Sequence, residues 1–195
     1  MTPQDRLTSI LWDGAIRSTI PFGATQHAVS MSEASADHIA WLVKEQGFPP
    51  WGVMFGRQAV YDAGGGPVWY ARPEQFAAVR GTAAAEWAVR YETTPTSRSD
   101  WTHEREWRIH GPTVNLRELV PFGVLVGDEA WQPLRWERHM VTADGTPTLD
   151  HSAAVDEREG YWVPARPMWP LLKFHISPDT GRLAPAGWTL PAVGQ

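Results

Sequence analysis

The stretch Asp100-Trp101-Thr102-His103-Glu104-Arg105-Glu106-Trp107-Arg108-Ile109-His110 decides which fold the sequence predicts. As a helix, its apolar residues Trp101, Trp107 and Ile109 form no common stripe, and Gly111-Pro112 would end the helix at once. As a strand, successive side chains alternate between two faces. Arg105, Trp107 and Ile109 then share one face, while the other face carries only ionisable residues. The pattern therefore favours a β-strand over residues 103–110.

The ionisable face of this predicted strand holds Glu104, Glu106, Arg108 and His110. Such residues are costly to bury unless they pair with one another or with a ligand. One interpretation is that they line a functional cleft. The other is that the strand lies at the edge of a sheet, where its charges prevent aggregation. The sequence leaves both interpretations open.

Length and composition indicate a soluble globular protein. The chain has 195 residues, of which 43% are hydrophobic and 20% charged, with a formal net charge of −5. We expect one domain over residues 1–177 and a loose or surface-wrapped tail over residues 178–195. The acidity argues against a broad nucleic-acid surface but not against a local basic groove, because nearly all of the 17 basic residues are arginines.

Several classes of protein are excluded by what the sequence lacks. It contains no cysteine, which excludes disulfide scaffolds, thiolate zinc sites and cysteine nucleophiles. It shows neither an apolar run long enough to span a membrane nor a signal-peptide pattern, so we expect a cytoplasmic protein with no membrane partner. No metal site is predicted, because His103 and His110 fall on opposite faces of the strand. Gly64-Gly65-Gly66 lacks the lysine of a phosphate-binding loop.

Short elements of mixed type are predicted around the charged strand, which indicates the α+β class. Helices are expected over residues 7–14, 33–46 (with Ser32 as N-cap) and parts of 73–90 and 131–140. Strands are expected over residues 27–31, 51–55, 67–71 and 119–126, a polar loop over 142–159 and extended chain over 161–176. Helices and strands do not alternate regularly, so a doubly wound sheet is not expected.

Four segments occur in an order that resembles a known family. They are LTSILWDGAI (7–16), HAVSMSEAS (27–35), PWGVMFGRQAVYDAGGGPVWYAR (50–72) and HEREWRI (103–109). Their order and spacing resemble those of DarT-like and AbiGi-like phage-defence proteins in the ADP-ribosyltransferase-like superfamily. The likeness covers roughly residues 5–126, and its last segment is similar to the Glu-x-Glu strand that carries the catalytic glutamate in that superfamily.

The resemblance implies a fold and an activity. The fold would be a split, strongly bent β-sandwich with flanking short helices and with NAD in the cleft between two small sheets. The enzyme would cleave NAD and transfer ADP-ribose to a nucleic acid or a protein. Glu106 would stabilise the positive charge that develops on the ribose and hold its 2′-hydroxyl. Glu104 would orient or deprotonate the acceptor.

The resemblance also implies residues that contact NAD. Ser30, Ser32 and His27 would position it, although Ser32 also fits a helix N-cap and Ser30 an ordinary strand residue. Relatives carry a histidine or arginine on a strand before the first helix, and here only residues 1–6 precede that helix. Arg6 or Arg17 could replace it, although neither sits at the matching position, and Arg17 is the one we select as a candidate NAD contact.

Two alternative functions remain open at this stage. One is a catalytically silent binding module of the same fold, acting as an antitoxin-type partner in phage defence, and the unmatched first-strand residue fits it. The other is an NAD-hydrolysing or glycosidase-like enzyme that uses the same carboxylates without an acceptor. We also expect Trp107→Ala to destabilise the fold and Glu106→Gln to leave its stability unchanged.

Overall fold

The computed structural model describes residues 1–93, 100–141, 147–148, 161–165 and 171–188. Its α-helices are α1 (Pro3–Asp13), α2 (Ala36–Lys44), α3 (Arg57–Asp62), α4 (Pro73–Val79) and α5 (Leu116–Leu119), and 3₁₀ turns occupy Ala83–Trp87 and Thr102–Glu104. Its strands are β1 (Ala15–Arg17), β2 (Ala28–Ser32), β3 (Gly52–Met54), β4 (Gly66–Pro67), β5 (Trp69–Ala71), β6 (Ala88–Arg90), β7 (Glu106–His110), β8 (Thr113–Asn115), β9 (Gly123–Val126), β10 (Arg135–Val141), β11 (Pro147–Thr148), β12 (Tyr161–Ala165), β13 (Leu172–Ile176) and β14 (Leu183–Ala186).

Short strands in several small sheets, with few helices, confirm the α+β class. The two sheets that matter for the site have the orders β2-β7-β4 and β14-β13-β9-β3. Smaller sheets pair β1 with β8 and β5 with β6, while β10 lies between β11 and β12. The charged strand β7 is therefore a central strand rather than an edge strand, so its charges do not serve to protect an exposed edge.

Helix α1 confirms the first predicted helix and extends it toward the N-terminus. Thr2 and Asp5 form a capping box at its start, and Gly14 ends it in the left-handed conformation with a φ of 64°. Leu7 and Leu11 are buried, and they pack with Leu116 and Val124 in one of the two apolar cores. The helix thus anchors the chain to the sheet that contains β9.

The second helix begins later than predicted, and Ser32 is not its N-cap. Ser35 caps α2, because its hydroxyl accepts a hydrogen bond from the His38 N–H at 3.3 Å. Ser32 instead belongs to β2, where it pairs with Glu106. Serines at 32 and 35 are equivalent as caps by local sequence, so only the pairing of β2 with β7 distinguishes them. The N-cap interpretation of Ser32 is therefore wrong.

The charged stretch is a strand only over its second half. Asp100 accepts hydrogen bonds from the Thr102 N–H and hydroxyl at 3.3 and 2.7 Å, and the following residues form a 3₁₀ turn. Arg105 then adopts a left-handed conformation with a φ of 46°. The strand prediction is thus confirmed for residues 106–110 and wrong for residues 103–105. Glu104 does not share the strand face of Glu106.

Three other predictions differ from the structure. The strand predicted over residues 119–126 begins only at Gly123, because Leu119 is the last residue of helix α5, which Asn115 caps by accepting from the Arg117 N–H. Residues 135–141 are the strand β10 and not helical. In the predicted tail, Leu183–Ala186 pairs with β13 as an edge strand. Most of the predicted loop at 142–159, and residues 189–195, lie outside the described residues.

The triple-glycine segment serves close packing. A Cβ placed on Gly65 would lie 2.7 Å from the Val60 carbonyl oxygen and 2.9 Å from an Ile109 side-chain carbon. Gly66 lies against the ring of Trp87 in the same way, at 3.1 Å. The glycines therefore let β4 approach β7 closely. Within the described part of the chain, no helix is long and apolar enough to cross a membrane.

Candidate functional site

Strand β7 has two faces with different surroundings, and both continue onto β2. The antiparallel register pairs Ser32 with Glu106 and Ser30 with Arg108, and these four residues form what we call the polar face. The same register pairs Met31 with Trp107 and Val29 with Ile109, and these four residues form the apolar face.

Glu106 is held by three side chains on or near the polar face. Its Oε1 accepts a hydrogen bond from the Ser30 hydroxyl at 2.6 Å and from Arg108 Nε at 2.8 Å, and its Oε2 lies 3.3 Å from the second Arg108 nitrogen. Its backbone N–H donates to the Tyr70 hydroxyl at 2.8 Å. Only 8% of Glu106 and 1% of Arg108 is exposed, whereas Ser30 and Ser32 are exposed. The carboxylate thus lies at the floor of a face that opens at the two serines.

Arg108 connects this face to the 3₁₀ turn at Ala83–Trp87. Its third guanidinium nitrogen donates to the carbonyl oxygen of Glu86 at 2.8 Å. The Glu86 side chain, 6% exposed, accepts from the Thr25 hydroxyl at 2.5 Å and from the backbone N–H groups of Thr25 and Gln26 at 3.0 Å. These hydrogen bonds, that of the Thr25 hydroxyl first, hold the pKa of Glu86 below its usual value. This network was not predictable from the sequence, because its members lie about 60 positions apart.

Glu104 lies close to Glu106 but on the 3₁₀ turn before the strand. It is half-buried, and burial is the main reason why its pKa is raised, with the negative charge of Glu106 adding to the effect. Burial likewise raises the pKa of Tyr70. Ser30 and Ser32 thus lie opposite Arg108 and Glu106 on the strand pair, and Glu104 lies near Glu106 but off the strand face on which it was expected. Arg108 was predicted on this face, whereas Tyr70 was not singled out by the sequence.

The other two predicted contacts are not part of this group. His27 precedes the end of β2 that pairs with His110, and its Nδ1 lies 3.1 Å from the Ser18 hydroxyl. Arg17 is exposed on β1, and its guanidinium lies 3.7 Å from Asp13. Neither side chain forms a hydrogen bond or an ion pair with Glu106.

A cavity of about 630 Å³ lies on the other side of β2 and β7. Its walls come from the apolar face, from α2 and from β3 and β9, and they include Met31, Leu42, Trp51, Met54, Phe55 and Trp107. Ser30 and Ser32 also line it, whereas Glu104 and Glu106 do not. A tryptophan-walled cleft between two sheets is thus present, and the two glutamates lie outside it.

Glu33 lies at the rim of this cavity between two arginines. Its Oε2 accepts a hydrogen bond from Trp107 Nε1 at 2.9 Å. Its Oε1 lies 3.4 Å from Arg57 and 3.5 Å from Arg105, whose guanidiniums are largely exposed. Sequence reasoning assigned no function to this cluster. A hint of the cluster was present in the sequence, because the alternation placed Arg105 and Trp107 on the same predicted face.

Comparison with known proteins identifies no relative: no family model, no curated protein and no solved structure matches the chain. Among the residues that the structure describes, no group of three or more His, Asp or Glu side chains is arranged to hold a metal ion.

Proposed function

We propose that the chain is an ADP-ribosyltransferase-like enzyme that cleaves NAD at the polar face of β7. The observation that carries this proposal is the 2.6 Å hydrogen bond from Ser30 to Glu106, with the half-buried carboxyl of Glu104 next to it. These residues come from two parts of the chain that are more than 70 positions apart. The proposal includes the split β-sandwich, with the β2 and β3 sheets as its two halves, but it moves NAD from the cleft between them, where the resemblance would place it, to the polar face of β7. It also includes the role in phage defence that the resemblance implies and the cytoplasmic location expected from the sequence.

The first step breaks the bond between C1′ of the ribose and the nicotinamide nitrogen. The bonding electron pair leaves with nicotinamide, which becomes neutral, and positive charge develops on the ribose. The Glu106 carboxylate stabilises this charge and accepts a hydrogen bond from the 2′-hydroxyl. Ser30 and Arg108 fix its position beforehand, so that no reorganisation is needed during the reaction.

The second step forms a bond between C1′ and a nucleophilic O–H or N–H group of a nucleic acid or protein acceptor. The proton of this group passes to Glu104, whose raised pKa makes it a stronger base than an ordinary glutamate. With water as the nucleophile, the same step hydrolyses NAD. The glutamates thus have separate roles: the Glu106 carboxylate faces the ribose, and Glu104 takes the proton of the acceptor. The ribose cation does not persist and recombines with nicotinamide unless the acceptor adds, so net release of nicotinamide requires both glutamates.

Contacts to the rest of NAD follow from the geometry of β2. The exposed hydroxyl of Ser32 is next to Glu106 across the strand pair and would bind the ribose. His27 lies five positions along the chain, which corresponds to about 16 Å in an extended strand. It would therefore contact only the adenosine end of the dinucleotide. Arg17, on β1, would contact a phosphate there.

Release of nicotinamide from NAD by the purified protein, with and without cell extract as a source of acceptor, tests this proposal. We expect Glu104→Gln and Glu106→Gln each to abolish release. The matched control is Glu118→Gln, because Glu118 is an exposed glutamate on α5. Equal release by all the variants would contradict the proposal.

A second function, the catalytically silent binding module, is favoured by one observation. Both oxygens of Glu106 are already engaged by Ser30 and Arg108, and the residue is 8% exposed. A carboxylate in this state can serve as a structural ion pair. If NAD neither binds at millimolar concentration nor releases nicotinamide with any extract, this second function is preferred.

A further inference from the structure

We propose that the cavity on the apolar face of β7 binds a small amphipathic carboxylate, that is, a molecule with an apolar body and one carboxylate group. The body would occupy the cavity, and the carboxylate would lie at the rim between Arg57 and Arg105. This site shares Ser30 and Ser32 with the polar face but neither of the two glutamates, and the proposal does not depend on NAD chemistry.

The walls of the cavity suit an apolar body. Its volume of about 630 Å³ lies within the usual range for small-molecule sites. Trp51, Phe55 and Trp107 supply aromatic surface, and Met31 and Met54 supply flexible thioether side chains that adapt to the shape of a ligand. An apolar molecule in this space would remove both its own surface and that of the walls from water.

The rim carries more positive than negative charge, which selects an anionic group. Two guanidiniums share the single Oε1 atom of Glu33 at 3.4 and 3.5 Å, which is longer than the usual 2.7–2.9 Å of a charge-assisted hydrogen bond. The indole of Trp107 already occupies the other oxygen of Glu33. In the part of the chain that the structure describes, neither arginine has another acceptor. A carboxylate from the ligand, together with Glu33, would therefore balance the two positive charges of Arg57 and Arg105.

The backbone at Arg105 supports a site at this rim. Its φ of 46° is strained for a residue with a side chain, and the Glu33 N–H donates to its carbonyl oxygen at 3.1 Å. This conformation directs the Arg105 side chain toward Glu33, whereas the next residue, Glu106, belongs to the polar face. A carboxylate is preferred over a phosphate because the two guanidiniums already carry one compensating charge from Glu33.

Isothermal titration with three ten-carbon probes below their micelle concentrations tests the proposal: decanoate, decanol and decylamine. They share one apolar body and differ in the charge of the head group. We expect decanoate to bind about tenfold more tightly than decanol, because decanol lacks the carboxylate that accepts a charged hydrogen bond from the arginines. Decylamine should not bind. Equal affinities for decanoate and decylamine, or no binding of decanoate, would overturn the proposal.

Three variants locate the binding site. Arg57→Gln should weaken decanoate binding about tenfold and leave decanol unchanged, while the matched control Arg117→Gln should change neither. Gly52→Phe should block both probes, because Gly52 lines the cavity and a Cβ there meets no atom within 4 Å. Thermal melts verify that each variant is folded. Unchanged decanoate binding in folded Gly52→Phe would place the ligand outside the cavity and overturn the proposal.

Discussion

The two faces of β7 were predicted by the same alternation of residues, yet the structure treats them in opposite ways. On the polar face, Glu106 and Arg108 neutralise each other and are buried beneath Tyr70 and the Glu86 carbonyl. On the apolar face, Ile109 joins a packed core, but Trp107 borders an open cavity. The charged side of the strand is therefore closely packed, while space remains on its hydrophobic side.

The difference shows that polarity alone does not locate a binding site. Charged side chains satisfy one another when a strand brings them within 3 Å, and they then leave little room for a ligand. Apolar side chains leave space wherever the sheets that cover them diverge. Function at the polar face therefore depends on the exposed serines and on Glu104, while function at the apolar face depends on the rim charges.

Loss of Arg108 gives the largest expected effect. Arg108→Met leaves the buried Glu106 without its partner, which typically costs about 3–5 kcal/mol. Urea denaturation monitored by circular dichroism measures this loss. Arg57→Gln, which changes an exposed arginine on the apolar side, should alter the free energy of unfolding by less than about 0.5 kcal/mol. Similar losses in both variants would contradict the description of the polar face as a buried ion pair.

Truncation of Trp107 comes next. Trp107→Ala should reduce the free energy of unfolding by about 2–3 kcal/mol, at or below the usual range for a core tryptophan, because the side chain is partly buried and already borders a cavity. The variant also removes the hydrogen bond to Glu33. Urea denaturation provides the value. A loss above about 5 kcal/mol would contradict this prediction, because it would mean that Trp107 is fully packed and does not border an open cavity.

Neutralisation of Glu106 is expected to have a moderate effect, which changes the expectation drawn from the sequence. The sequence suggested that Glu106→Gln leaves stability unchanged, but the carboxylate is paired with a guanidinium that is 1% exposed. We now expect a loss of about 2 kcal/mol. The double variant Glu106→Gln/Arg108→Met should lose less unfolding free energy than the sum of the losses in the two single variants. Additive losses would show that the two residues do not interact.

The smallest effect concerns stability in acid. The pKa of Glu86 is lower in the folded chain than in the unfolded chain, so its contribution to stability is present above its usual pKa and disappears as the pH falls through the lower, folded value. Thermal melts between pH 7 and pH 3 should therefore show a smaller acid-induced decrease in Tm for Glu86→Gln than for the natural sequence. Glu118→Gln should follow the natural sequence, and identical curves for all three proteins would rule out this role of Glu86.

Alternation along the strand predicted which side chains of β7 share a face, because that depends only on neighbouring residues. It could not predict where the strand begins. The Asx turn at Asp100 and the left-handed backbone of Arg105 move Glu104 off the strand. A residue with a side chain adopts the left-handed conformation only where the surrounding structure holds it, so the sequence alone does not reveal it. The same limit applies to Ser32, whose place in β2 depends on pairing with a strand more than 70 residues away.

The partners of the candidate site were less predictable than its members. Ser30 and Glu106 could be selected by residue type, but nothing local links Glu86 to Thr25 or Glu33 to Trp107. Such contacts arise from the way in which the sheets stack. The cavity is likewise lined by residues from several separate segments, so no single segment encodes it.

Release of nicotinamide from NAD, measured in parallel for one variant on each side of β7, shows on which side NAD reacts. The pair is Glu104→Gln at the polar face and Gly52→Phe in the cavity, and both proteins are first shown to be folded by circular dichroism. We expect Glu104→Gln to abolish nicotinamide release and Gly52→Phe to retain it. Release that persists in Glu104→Gln and is lost in Gly52→Phe would contradict it, because NAD would then react in the cavity of the apolar face.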